Sequence, residues 1–263
     1  MSTRESPLAS PWIRRYAPAP EAPVRLVCLP HAGGSATFYS GLARRLAPDV
    51  DVLAVQYPGR LERRAEAPMK ALTALAEALV AELTPWTDRA FALFGHSMGA
   101  MAAFETARRL EAVGRPPVAL FVSGRGAPSL HRREFGPQLD DALLLRQMRG
   151  LGGTDPRVFA DEELMRLALP VIRADYRMVE DYRYVPGPPL GCPVTALNGR
   201  TDPKVSAPGV DAWRHHTTAS FDSLTFPGGH FYLVDRHEEV TTALTDRLSA
   251  CVQLEHDDKQ RSV

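Results

Sequence analysis

An α/β protein is predicted, with a mainly parallel sheet covered by helices and a helical insertion before the last strands. Three observations predict it. Short apolar runs alternate with helix-period segments over residues 24–124, the pattern of βαβ units. The runs are apolar at consecutive positions, as strands with helices on both faces are. Residues 127–189 then break the alternation with helical pieces and no clear buried strand, over a length too great for a simple connection.

The elements follow in order. "VRLVCLP" (24–30) reads as a buried strand and "FYSGLARRLA" (38–47) as a helix. "VDVLAVQYPG" (50–59) is strand-like and ends in a Pro-Gly turn, and "MKALTALAEALVAEL" (69–83) has apolar residues at helical spacing. "AFALFG" (90–95) is a strand, "MGAMAAFETARRLEAVG" (98–114) a helix with a glycine stop, and "PVALFVSG" (117–124) a strand. Inside the insertion, "DDALLLRQMRG" and "DEELMRLALPVIRADYRMVEDY" are helical, which suggests a cap over one end of the sheet, with an ordinary pair of surface helices as the alternative. Strand-like chain resumes at "CPVTALNGR" (192–200) and "FDSLTFPGG" (221–229). The expected organisation is therefore an extended lead-in over 1–23, one domain over 24–252 with 127–189 as its lid, and a polar tail over 253–263.

Composition excludes several classes of function. The chain has 263 residues, 44% hydrophobic and 24% charged, which suits one large globular domain. The 31 basic residues balance 31 acidic ones, so the basic excess of a nucleic-acid binder is lacking. Three cysteines, Cys28, Cys192 and Cys251, form neither a disulfide framework nor a C-x-x-C pair, which points to a reducing compartment. No apolar secretory core and no run of ~20 apolar residues is present, so a cytoplasmic protein without a membrane partner is expected.

The chemistry is read from "FGHSMGA" (94–100). Ser97 lies in G-x-S-x-G between a strand and a strong helix, the setting of a nucleophile elbow. Gly95 and Gly99 give neighbouring chain room to pass without a Cβ clash. The first N–H groups of the following helix lack partners and carry partial positive charge, so the Met98 N–H can bind an oxyanion. "LPHAGGS" (29–35), after the first core strand, offers a second donor at Ala32, with Gly33 and Gly34 letting the backbone bend.

A serine hydroxyl needs a base to take its proton and an acid to hold the imidazole. In a fold of this kind the acid and then the histidine follow the serine along the chain. His31 and His96 precede it, His131 falls in the insertion, His215 and His216 are adjacent on a helix, and His237 and His256 lie in polar chain. His230 instead follows a strand and a Gly-Gly turn in "FPGGHFYLVD", at a strand end where such sheets place ligands. Asp202, in "NGRTDPKV", occupies an equivalent turn and is preferred over Asp175, Asp181 and Asp235.

Taken together, "CLPHAGGSATFY", "QYPGRLERR", "FGHSMGAMAAFETARRL", "NGRTDP" and "GGHFYL" resemble the type II thioesterases, stand-alone enzymes that accompany polyketide and nonribosomal peptide synthases. The resemblance runs over about 12–248. It implies an α/β-hydrolase fold with a mobile helical lid. It also implies editing hydrolysis of stalled or wrongly primed acyl thioesters from the phosphopantetheine arm of acyl or peptidyl carrier proteins. It carries Ser97 as nucleophile, Asp202 as orienting acid, His230 as base, and the backbone of Ala32 and Met98 as oxyanion donors, with no metal or bound cofactor. One departure is that Arg200 and Thr201 occupy the interior of the acid turn, where family members often carry an acidic residue. Arg63, Arg64, Arg132 and Arg133 are candidates for docking an acidic carrier. The competing expectations are a carboxylester hydrolase with the same triad, a releasing thioesterase cut from a synthase, and a catalytically silent hydrolase fold that only binds.

Overall fold

The computed structural model describes residues 10–131, 133, 140–153 and 159–261, with side chains of the last helix described through residue 253. Seven strands form the sheet: β1 (Ile13–Arg14), β2 (Val24–Leu29), β3 (Val50–Val55), β4 (Phe91–His96), β5 (Ala119–Ser123), β6 (Val194–Gly199) and β7 (Phe221–Phe226). Their order is β1-β3-β2-β4-β5-β6-β7, with β1 antiparallel to β3 and every other pair parallel. Each apolar run named in the sequence forms one of β2 to β7.

Both faces of the central strands are buried, and alternate side chains join different cores. Val27, Leu53 and Leu93 are in register and pack beneath α2 (Leu72–Leu83) and α3 (Met98–Ala112). Their neighbours Leu26, Val52 and Ala92 face the other way, towards α1 (Ser40–Leu46) and α8 (His237–Arg261). Continuous apolar runs are what two covered faces require.

After β2 the chain places β3 on one side, then crosses back to place β4 on the other. The loops leaving β2 and β4 therefore diverge at the carboxyl edge and open a crevice there, the usual position of ligands in sheets of this kind.

The insertion contributes α4 (Asp141–Leu151) and α5 (Glu162–Asp181) between β5 and β6. Each begins with an aspartate cap: Asp140 accepts from Leu143 N–H, and Asp161 accepts from the N–H groups of Glu163 and Leu164. Arg173 of α5 holds Asp141 of α4 through bonds of 2.6 to 3.0 Å, and Leu144 packs on Ile172 beneath them. Short helices α6 (Ala207–Asp211) and α7 (Tyr232–Asp235) complete the carboxyl half.

Two ends of the chain differ from expectation. The lead-in supplies β1, because Trp12 and Ile13 are buried and the Gln56 N–H donates to Trp12 C=O at 2.7 Å. A pairing of two residues leaves no periodic signal in a sequence. At the other end α8 runs through Arg261 and includes most of the expected tail. Propagating a helix costs far less than nucleating one, so polar residues extend what Val240, Leu244 and Leu248 anchor.

Candidate active site

The elbow is built by close approach. Ser97 has φ 56° and ψ −114°, left-handed territory that L residues rarely enter, and its N–H donates to Ser123 C=O at 2.7 Å. A Cβ on Gly95 would lie 2.0 Å from the Gly99 carbonyl oxygen, and one on Gly99 would lie 2.0 Å from that of Leu29. Only glycine fits at either place. Small residues along α3, Ala100, Ala102, Ala103 and Ala107, let that helix sit tightly on the sheet with its N-terminus beneath Ser97.

The acid and the histidine meet because the loops after β6 and β7 are sewn together. Arg200 N–H donates to Phe226 C=O, and both the N–H and the hydroxyl of Thr201 donate to Gly228 C=O. A Cβ on Gly199 would strike the Gly229 carbonyl at 2.1 Å. Asp202 and His230 are 6% and 2% exposed, and Asp202 Oδ2 lies 2.8 Å from His230 Nδ1. The other carboxylate oxygen accepts from Lys204 N–H at 2.8 Å, so the acid is fixed at both oxygens. Arg200 and Thr201, the departure in this turn, leave the pair intact, and Thr201 adds a tie of its own.

Two further imidazoles stand beside this pair. The ring of His96 lies 4.9 Å from that of His230, and the ring of His31 lies 5.9 Å from that of His96. Burial drives His96 well below the ordinary histidine value and pushes His31 down to about 3, with the neighbouring imidazole of His230 adding to both effects. Both stay neutral near pH 7, so neither adds a competing cation. His96 Nδ1 also meets Ser123 Oγ at 2.9 Å, and Ser123 Oγ meets the Tyr232 hydroxyl at 2.7 Å. Chain order set His31 and His96 aside as bases; their spatial role was invisible, because β2 and β4 become neighbours only in the sheet.

Ser97 and His230 line one cavity of about 150 Å³. Its far wall is apolar and comes from the insertion: Met148, Leu151, Met165, Ala168 and Ile172. Ser97 also borders a smaller cavity of about 30 Å³ with Ala32, Met98, Arg125 and Lys204. Ala32 and Met98 thus flank Ser97. Among the described residues, no hydrogen bond takes the Ala32 N–H, and the Met98 N–H belongs to the unpaired first turn of α3.

The docking arginines scatter. Arg63 is buried at 5%, bonded to Glu66 and Gln56 C=O, with its guanidinium 4.3 Å from the centre of the Trp12 ring. It therefore cannot serve as an exposed landing residue; "GRLERR" gave no sign that Trp12 would fold over it. Arg64 is exposed. Arg133 pairs with Asp181 at 2.9 Å, and Arg132 lies outside the described residues. Asp175, weighed only as a rival acid, is 1% exposed and bonds both Arg60 and the Gly33 N–H.

Sheet order, elbow and aspartate–histidine pair define the class: an α/β hydrolase of the serine type. A thioesterase domain model matches residues 24–248, and the chain belongs to the thioesterase family. It is 49% identical to the thioesterase PikA5 of Streptomyces venezuelae, over 90% of this chain and 85% of that one. Among solved structures it is similar to the type II thioesterase BorB from the borrelidin biosynthetic cluster, with 50% identity and a TM-score of 0.84, covering 94% of this chain and 100% of that one. It is also similar to YbtT, a type II thioesterase from the yersiniabactin NRPS/PKS pathway, with 33% identity and a TM-score of 0.83, covering 92% and 99%. The chain is thus a serine-type thioester hydrolase. Among the described residues, no helix is long and apolar enough to cross a membrane.

Proposed function

We propose that this enzyme clears acyl groups from the phosphopantetheine arms of acyl or peptidyl carrier proteins in polyketide or nonribosomal peptide biosynthesis, with Ser97, His230 and Asp202 as its triad. The observation that carries the reading is the buried Asp202–His230 pair opening, with Ser97, on one apolar-walled cavity. Asp202 holds Nδ1 of His230, which leaves Nε2 as the proton acceptor. His230 takes the Ser97 proton as Oγ bonds to the acyl carbon. The Ala32 and Met98 N–H groups hold the oxyanion, an effect of roughly 3 kcal/mol per donor. The C–S bond then breaks, and His230 returns its proton to the departing thiolate. Water, deprotonated by His230, attacks the acyl-enzyme, and free acid leaves with Ser97 restored.

In this reading α4 and α5 act as a lid whose apolar wall faces the acyl chain, and the smaller cavity at Ser97 receives the end of the pantetheine arm. Arg64 and Arg133 remain candidates for the approach of an acidic carrier. The test is a hydrolysis panel of matched acyl-carrier, acyl-CoA and oxyester substrates, with Ser97→Ala as control. Carrier-bound thioesters should be the best substrates, and Ser97→Ala should lose at least ~1,000-fold in kcat. A preference for the oxyester would overturn the reading. Arg64→Glu should raise KM for the carrier substrate and leave a small thioester unaffected; equal effects on both would remove the docking site.

A further inference from the structure

The loop that carries the Ala32 N–H is held peptide by peptide, and one of its holders belongs to the insertion. The His31–Ala32 peptide is fixed where Gly34 N–H donates to His31 C=O at 2.9 Å. The next peptide is fixed by Asp175 of α5, whose Oδ2 accepts from Gly33 N–H at 2.7 Å. The peptide after Gly34 is fixed by Arg60, whose Nε donates to Gly34 C=O at 2.7 Å. Arg60 and Asp175 are themselves an ion pair, both buried, and the guanidinium also donates to Pro58 C=O and lies 5.1 Å from the centre of the Tyr57 ring.

The middle tie is the vulnerable one. Gly33 has φ +75°, and glycine lacks the Cβ that would confine it to one backbone basin. Ile172 of α5 sits directly above: a Cβ on Gly33 would lie 2.8 Å from its Cγ1. The loop therefore has a glycine where it must bend, and the side chain that fixes that bend arrives from 142 residues further along the chain. An acid in a catalytic role would have to reach His230, yet Asp175 is spent on Arg60 and Gly33 instead. Burying a carboxylate at 1% exposure is costly unless it is paired and hydrogen-bonded, and here both partners lie in the loops around the crevice.

We propose that Asp175 is a positioning residue for the oxyanion hole. Seated with α5, its carboxylate fixes the Ala32–Gly33 peptide, the middle peptide of the turn whose first peptide carries the Ala32 N–H, and so steadies the turn that presents this donor; full transition-state stabilisation then requires the insertion to be closed on the loop. The proposal rests on Ser97 as nucleophile and Ala32 as oxyanion donor.

The test compares the wild type with Asp175→Ala and the equal-sized Asp175→Asn on a small acyl thioester. Affinity for an alkyl boronic acid, which forms a tetrahedral adduct on the serine, and thermal stability are measured in parallel. The fraction of folded sites is counted by fluorophosphonate titration of Ser97. Per folded site, Asp175→Ala should lose roughly 10- to 100-fold in kcat with KM changed less than twofold, and boronate affinity should fall by a similar factor. Asp175→Asn keeps an oxygen for Gly33 N–H and should retain more of both. If Asp175→Ala does not fold, the asparagine variant carries the test, with a several-fold parallel loss expected. Normal kcat and boronate affinity per folded site would overturn the proposal, as would a loss confined to KM or to the fraction folded. Turnover surviving in Ser97→Ala would instead defeat the underlying catalytic reading, whatever Asp175 does.

Discussion

At Ser97, the proposed nucleophile, the backbone is strained. Its φ of 56° is tolerated because Ser123 C=O holds its N–H and because Gly95 and Gly99 clear the space around it. Strain of this kind costs about 1–3 kcal/mol. Ser97→Gly should therefore raise unfolding stability by ~1 kcal/mol or more in urea titrations, while abolishing turnover. The reverse experiment is Gly124→Ala. Gly124 has φ +61°, and a Cβ there would stand 2.6 Å from Cε1 of His96 and 3.3 Å from Cε1 of His230. Both rings would have to shift, so stability should fall and kcat should drop by about tenfold or more, since small misplacements of reacting groups carry large rate penalties. An unchanged kcat in that variant would show that His230 tolerates displacement.

Among the elements, α5 joins the cavity wall to the loop beneath it. Its N-terminus is held by Asp161, which accepts from two backbone N–H groups. Asp161→Ala should cost about 1 kcal/mol by chemical denaturation and loosen the start of the helix in amide exchange. The strands and the larger helices of the main fold were legible in the sequence because their periodicity is local. The triad candidates were legible too, since glycine pairs mark Ser97 and His230 and a proline turn marks Asp202. Asp175 was not, because its meaning depends on Arg60 and Gly33, which reach it only through tertiary folding. Arg63 departs from expectation for the same reason: an arginine beside other arginines looks solvated until Trp12 packs over it. Pro170 lies within α5, yet the helix continues through Asp181, where a proline alone would have argued for a break.

Across the whole molecule, buried neutral imidazoles make part of the stability depend on pH. His31 is pushed down to about 3, and His216 down to about 4 by burial with Arg108 adding to it; His96 lies well below its usual value. Each binds fewer protons folded than unfolded between its folded value and about 6.5. The contribution of these histidines is therefore full above about pH 6.5 and is lost as pH falls through that window, and Tm should decline accordingly. His216→Gln should flatten the part of this decline between about 6.5 and 4 without altering kcat, since His216 packs among Phe104, Tyr184 and Trp213, away from Ser97. A Tm profile identical to wild type would show that His216 is not held neutral.

The short strand β1 has a consequence beyond the monomer. It covers the outer rim of β3, where Ile13 and Arg14 lie opposite Val55 and Ala54. Without that cover, β3 would present a row of unsatisfied amides flanked by valines to any other extended chain. Removing residues 1–15 should thus leave a folded hydrolase that self-associates through strand addition, detectable as soluble oligomers by light scattering.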